Sequence, residues 1–248
     1  MPLPPLTPYA RLRWDVVSRV LDAELPAAGA RVLEVGCGQG AVGVRLAARH
    51  DYTGVDLDGA SVAVARRRMA DAGLSATLVH GPLEDVEGDG FDLVCAFEVV
   101  EHIEDDRAAA AEWVSRLRPG GLLLVSTPAW QSRYGSMDEA VGHFRRYDPE
   151  ALAGLLAGVG LERVRTRLYG MPLGYVLEAA RNRIAGRSLD VREQDVAART
   201  ARSGRLFQPS SAVQGAAIAA ATWPFRLVQR AFPGTGTGLV AWGTAPAA

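Results

Sequence analysis

The sequence predicts an α/β fold in which a mainly parallel sheet is covered by helices on both faces. Three observations predict it. Short β-like runs alternate with amphipathic helical patterns from Arg31 onward. The first run ends in a glycine-rich turn that opens a helix, and the second ends on an acid, Asp56. At 248 residues the chain is long enough to bury a full core and reads as one domain, residues 1–248.

The elements follow in order. Tyr9 to Leu25 has Leu12, Val16, Val20 and Leu21 at helical spacing, so residues 1–30 read as an N-terminal helical cap. The first strand is Arg31 to Val35, and four more follow: Tyr52 to Asp56, Ala76 to His80, Phe91 to Phe97 and Gly121 to Thr127. Between them, Val42 to Arg49, Ala60 to Ala72 and Asp105 to Arg118 carry apolar residues at helical spacing, with Pro119-Gly120-Gly121 as a stop. A polar loop, Pro128 to Tyr147, leads to a helix from Pro149 to Val159, with proline suitably placed at its first turn. Leu161 to Tyr169 is a sixth strand and Gly238 to Thr244 a seventh. Residues 171–236 lie between these last two as an insertion. It holds two apolar helical stretches, Met171 to Ala185 and Ala212 to Phe232, and a polar, arginine-rich link from Gly186 to Ser211 that reads as mobile.

Composition narrows the chemistry without naming a partner. Hydrophobic residues make up 48% and charged residues 22%, and a net charge of -1 argues against a nucleic-acid partner. All 27 basic residues are arginine, which removes Schiff-base and lysine-base mechanisms. The two cysteines, Cys37 and Cys95, give no disulfide framework. Met1 to Pro8 shows no basic segment followed by an apolar run, so a cytoplasmic protein is expected. Ala212 to Val228 is apolar but interrupted by Gln214, Pro224 and Arg226, which weakens a transmembrane reading.

The turn Gly36-Cys37-Gly38-Gln39-Gly40 has the spacing G-x-G-x-G, which differs from the G-x-G-x-x-G of dinucleotide enzymes. Glycines there permit positive φ and close approach of backbone to a ligand. Asp56 is placed to accept hydrogen bonds from two ribose hydroxyls. Glu34, two residues before the first glycine, would set a negative charge where a pyrophosphate is repelled and a sulfonium or ammonium is welcome. A cationic cofactor fits better than a dinucleotide. Cys37 reads as a small residue filling a tight turn beside that cofactor, rather than as a reactive thiol.

The segments E-V-G-C-G-Q-G, G-V-D-L-D, F-D-L-V-C-A-F-E-V-V-E-H-I and L-R-P-G-G-L-L-L-V-S-T-P, spread over residues 31 to 127, resemble the ordered motifs of class I S-adenosylmethionine-dependent methyltransferases. The resemblance implies a Rossmann-like, seven-stranded sheet flanked by helices, with the last strand antiparallel and a helical insertion before it. It implies Gly36, Gly38 and Gly40 on the methionine part of S-adenosylmethionine, Asp56 on the ribose, Leu57 and Leu83 around the adenine, and the Ala96-Phe97 backbone on the amino group. One departure concerns the adenine amino group. Gly81 is followed by Pro82 and Leu83 where many relatives carry an acid, which leaves Glu84, Asp85 or backbone groups for that contact.

Methyl transfer is an in-line displacement, so alignment supplies much of the rate and a hydroxyl acceptor also needs a base. Of the four histidines, His50 ends a surface helix and His80 ends the third strand, and both read as structural. His102 at the start of the helix after strand four, and His143 in the loop after strand five, both face the cleft and are the candidate catalytic bases. Glu98, Glu101 and His102 stand at i, i+3 and i+4, so a helical segment would project all three from one face toward a single divalent metal, with His143 reaching in from the loop. A similar E-V-x-E-H run with a downstream histidine occurs in ubiquinone-biosynthesis O-methyltransferases and small-RNA 3′-terminal methyltransferases, where these positions resemble metal ligands. A metal-free reading, with the glutamates capping the helix start, stays open beside it.

The insertion, apolar with interleaved Arg181, Arg183, Arg226 and Arg230, suits a lid over a small hydrophobic or amphipathic acceptor with an anionic group, or contact with a membrane surface. Packing helices alone would also explain it. O-methylation of a small molecule is the leading expectation; an RNA-end methyltransferase and a non-catalytic S-adenosylmethionine-binding module are the alternatives.

Overall fold

The computed structural model describes residues 3–25, 27–185 and 212–247. The arginine-rich link expected to be mobile, Gly186 to Ser211, lies outside the described residues. Seven strands form one sheet: β1 (Arg31–Val35), β2 (Asp51–Asp56), β3 (Thr77–His80), β4 (Phe91–Phe97), β5 (Leu117–Pro128), β6 (Glu162–Gly170) and β7 (Gly236–Thr244). The order is β3-β2-β1-β4-β5-β7-β6, with β7 antiparallel to both its neighbours and the other paired strands parallel. This is the mixed seven-stranded sheet that the motifs imply.

Strict alternation along the strands builds two cores. Val32, Leu93, Cys95, Leu122, Leu124, Val240 and Trp242 face one side, where α1 (Pro8–Glu24) covers them with Leu12, Val16 and Val20. The intervening Leu33, Val94, Ala96, Leu123, Val125, Leu239 and Ala241 face the other side, under α4 (Asp106–Ser115) and α6 (Pro149–Gly158), which contribute Trp113, Leu152 and Leu156. Two shorter helices complete the first half, α2 (Gly43–Ala47) and α3 (Gly59–Asp71). Helix starts are set by local chemistry. Thr7 accepts from the Ala10 amide with Pro8 in the first turn, Asp58 accepts from Ala60, and Asp105 accepts from Ala108.

Two elements differ from expectation. The helix α4 ends at Ser115 and the strand β5 already starts at Leu117, because Pro119-Gly120-Gly121 forms an irregularity within the strand, where its pairing with β4 shifts register between Phe91 and Leu93. The loop after β5 also holds a short helix, α5 (Ser136–Val141), closed by Gly142 at φ 80°.

The insertion folds as α7 (Leu173–Ala185) and α8 (Ala212–Ala231). They do different things. The helix α8 lies on α1, where buried Asp15 accepts from Arg226, Arg230 and Gln229. The helix α7 packs on α5, and its side chains enter the cleft described next. Among the described residues no helix is long and apolar enough to cross a membrane.

Candidate active site

The order of strands reverses between β1 and β4, and the crevice at their carboxyl ends is where ligands bind in such sheets. A cavity of about 1110 Å³ opens there, large enough for a nucleoside-sized cofactor and a second molecule. Its floor is the glycine turn. Gly36, Gly38 and Gly40 have φ of 71°, 51° and 72°, so each holds a backbone that side chains resist. The reasons for glycine differ. A Cβ on Gly36 would stand 2.5 Å from Val99 Cγ2, and one on Gly40 would stand 2.9 Å from the Ala65 Cβ. A Cβ on Gly38 would meet nothing within 4 Å, because Gly38 faces the open cavity.

Asp56 ties the turn down while facing the same space. Its Oδ2 accepts from the Gly38 amide at 2.7 Å and its Oδ1 from the Asp58 amide at 2.8 Å. Each oxygen keeps a lone pair for a hydroxyl from the cavity. Leu57, Leu83 and Glu84 line the wall next to it, and Phe97 and Val99 line the opposite one.

Several expected contacts lie behind that surface. Glu34 is 3% exposed, points away from the cavity and accepts the Tyr52 hydroxyl at 2.6 Å. Burial pushes its carboxyl up to about 8, only partly offset by the Tyr52 hydroxyl and Arg13. The expectation of a carboxylate facing a cationic cofactor is therefore corrected: Glu34 braces the strand from beneath. Cys37 is also buried, raised in pKa by burial and then by Glu34, and fills the space against Gly54. Gly40 and Ala96 sit beneath the surface as well, Gly40 against α3 and Ala96 in the sheet core. His50 is buried at a helix end, and His80 packs under Gly59.

The other half of the cavity gathers the second group of candidates. Val100 to His102 form a single helical turn, and Glu98 precedes it at φ 60°. That backbone sends Glu98 away from the other three. Its Oε1 accepts from Ser126 at 2.9 Å and from Tyr169 at 3.3 Å, and pairs with Arg13 at 3.1 Å. The expected common face of Glu98, Glu101 and His102 is corrected accordingly, since a helix across residues 98–102 does not form.

Glu101, His102 and His143 do converge, with one ligand atom of each within 4.8 Å of the others. Glu101 is fully buried, and neither of its carboxylate oxygens makes a well-formed hydrogen bond; the Thr127 hydroxyl, itself unpaired, and a backbone amide lie near enough only to offset part of the burial cost. Burial, then Glu98, raises its pKa. The His102 and His143 rings meet edge to face at 4.5 Å, and His143 Nε2 lies 4.0 Å from Glu101 Oε1. Burial, then His143, lowers the His102 imidazole to about 4, so it is neutral at pH 7.

The loop run Gly142-His143-Phe144-Arg145-Arg146-Tyr147 holds His143 in place residue by residue. The Phe144 amide donates to the Glu101 carbonyl at 2.8 Å, and Arg145 and Tyr147 both reach Asp106. Arg146 makes two bonds to Asp138 and one to Glu178 of α7. Asp138 in turn meets His143 Nδ1 at 2.7 Å. Burial opposes the Asp138 charge, but His143 and Arg146 outweigh it and hold the carboxyl at about 2. An ionised Asp138 can only accept, so it holds a proton on Nδ1 and directs Nε2 toward Glu101.

Sequence reasoning missed Arg13, Asp138, Arg146 and Glu178. Only Arg146 carried a local signal, standing three residues after a candidate histidine. The N-terminal segment was more informative: Leu6, Thr7, Tyr9 and Arg13 line the cavity, so α1 both packs on the sheet and caps the cleft.

Residues 32–121 match a family model described as a methyltransferase domain. A ubiquinone biosynthesis O-methyltransferase of Cereibacter sphaeroides is 38% identical over 114 residues, covering 44% of this chain and 45% of that protein. One from Aromatoleum aromaticum is 32% identical over 130 residues, covering 51% and 53%. The chain thus spans about half the length of the curated relatives it matches. The YcgJ protein from Bacillus subtilis superposes with a TM-score of 0.61 at 14% identity, covering 94% of this chain and 98% of that one, a likeness of fold. The glycine turn clamped by Asp56, set in this sheet order, thus lies in the segment, residues 32–121, that is similar to a methyltransferase domain.

Proposed function

We propose that the chain transfers a methyl group from S-adenosylmethionine to an oxygen of a small hydrophobic or amphipathic acceptor. The observation that carries this reading is the buried, unpartnered carboxylate of Glu101 facing two imidazoles at the far end of the cofactor cavity. The names of the two ubiquinone-biosynthesis relatives support oxygen as the methylated atom.

In this reading Gly36 and Gly38 receive the methionine part, Asp56 the ribose, and Leu57 and Leu83 the adenine, with Glu84 near its edge. The acceptor oxygen attacks the methyl carbon, the carbon–sulfur bond breaks, and neutral S-adenosylhomocysteine leaves. The acceptor proton must also leave. His102, neutral at pH 7, and His143, oriented by Asp138, are the groups that can take it.

The donor set also fits a divalent cation. One carboxylate and two imidazole nitrogens suit manganese, iron or zinc, and the Asp138–His143 bond is the kind of outer contact that orients a metal-bound histidine. Such an ion would be held by Glu101, His102 and His143, without Glu98, and would lower the pKa of an acceptor hydroxyl.

The helix α7 forms the acceptor side of the cavity through Glu178, Arg181 and Asn182. The helix α8 turns Val213, Trp223 and Leu227 outward, a face suited to peripheral contact with a lipid surface. The test is transfer of labelled methyl to a panel of alkyl catechols and hydroxy-lipids, with and without chelator. Product formation that stops on chelation and returns with manganese or zinc supports the metal form. Product that persists leaves the histidines as bases. Product from none of the acceptors, with normal cofactor binding, would overturn the acceptor class.

A further inference from the structure

Three arginines line the cavity among the described residues, and their charges are not equally spent. Arg13 is paired with Glu98. Arg146 is paired with both Asp138 and Glu178. Arg181 has no carboxylate partner among the described residues; its guanidinium lies 5.4 Å over the ring of Tyr9. Tyr9 does not neutralise it, since burial, then Glu98, keeps the phenol protonated well above its ordinary range. Glu178, one turn earlier on α7, is occupied by Arg133 and Arg146.

The charge excess sits at the acceptor end. A continuous chain of hydrogen bonds runs from Glu178 through Arg146 and Asp138 to His143, and Arg181 is one helical turn from its start. The next residue, Asn182, accepts from the Met137 amide, which pins this turn of α7 to the loop that carries His143. Of the other arginines of the insertion, Arg226 and Arg230 are spent on Asp15, and Arg183 points outward, away from the cavity lining. A cation held in a largely apolar cavity, stacked on a neutral aromatic ring and left without a counter-charge, is a receptor for an anion.

We propose that the acceptor carries an anionic group, a carboxylate or a phosphate, which Arg181 receives while the methylated atom lies at the histidines. This rests on the methyl-transfer reading for the identity of the ligand, and its test does not require turnover.

The experiment measures binding of short amphiphiles to the full chain loaded with S-adenosylhomocysteine, by calorimetry. Octanoate is compared with octanamide, and octyl phosphate with octanol. The charged member of at least one pair is expected to bind about tenfold more tightly or better, as a charge-assisted hydrogen bond allows, and the preferred pair tells carboxylate from phosphate. In Arg181→Gln that preference should vanish with S-adenosylhomocysteine affinity unchanged, and Arg181→Lys should keep most of it. Equal affinity within both pairs overturns the proposal, as does a preference that survives Arg181→Gln or the failure of all four to bind. Failure of the wild-type chain to bind S-adenosylhomocysteine would instead overturn the methyl-transfer reading.

Discussion

At the scale of single residues, the backbone decides which acids and glycines are functional. Gly36 and Gly40 are fixed by packing, whereas Gly38, also at positive φ, faces open cavity, although the three look alike in sequence. Gly38→Val should leave a folded chain, destabilised by about 1 to 3 kcal/mol through its positive φ, yet abolish S-adenosylhomocysteine binding. Calorimetry beside a thermal melt checks this, and retained affinity would place the cofactor elsewhere. Glu34 offers a pH test. Its pKa in the folded chain is about 8, against an ordinary 4.5, because it is buried. A raised folded-state value means that its contribution is full below pH 4.5 and is lost as pH rises through about 8. Glu34→Gln should therefore gain stability relative to wild type between pH 5 and 9 in urea titrations; parallel pH profiles would show that Glu34 is not the titrating group. Spacing could identify Glu101, His102 and His143 as partners. It could not place Glu98, because the left-handed backbone at that residue is a tertiary outcome that no local pattern encodes.

At the scale of elements, periodicity was a good guide wherever an element buries one face. The helices α3, α6 and α8 and the strands β1, β2 and β4 start and end within two residues of the positions expected from apolar spacing. It was a poor guide for α5, a six-residue helix whose Asp138 is buried by ionic contacts rather than by an apolar stripe. The role of α8 was equally illegible, because its buried face is polar: Thr222, Arg226 and Gln229 turn inward while Trp223 and Leu227 are exposed. What holds it is Asp15 on α1, 211 residues away in sequence from Arg226. Asp15→Ala should cost about 1 to 3 kcal/mol, the scale of losing hydrogen bonds to a charged group. Hydrogen exchange should then speed up across Ala212–Ala231 and stay slow in β1, β4 and β5. Uniform acceleration across the sheet would mean that the clamp supports the whole fold instead of one helix.

At the scale of the molecule, the two ends of the cavity make opposite contributions to stability. At the glycine turn the polar groups are largely satisfied: both Asp56 oxygens and the amides of Gly36, Cys37, Gly38 and Gly40 have partners, and buried Glu34 beneath them is the costly exception. The acceptor end holds a buried carboxyl group with neither oxygen paired, beside two imidazole rings, and burying such a group unpaired is costly. A ligand that binds Glu101 in the folded chain alone would recover that cost and raise the unfolding midpoint in a concentration-dependent way. At a hundredfold excess over its dissociation constant the gain is about 2.7 kcal/mol, or roughly 5 to 11 °C for a chain of this length. Manganese or zinc should produce that shift in the wild type and none in Glu101→Gln, read by scanning calorimetry after chelator treatment. The cation-free variant should itself melt above cation-free wild type at neutral pH, because the amide avoids the proton uptake that burial imposes on Glu101, while methyl transfer is lost. A wild-type midpoint that ignores both cations, or an equal shift in Glu101→Gln, would take the metal away from these residues. The proton would then have to pass to His102 or His143 unaided, and Glu101 would be left as a buried group whose cost the fold bears for another reason.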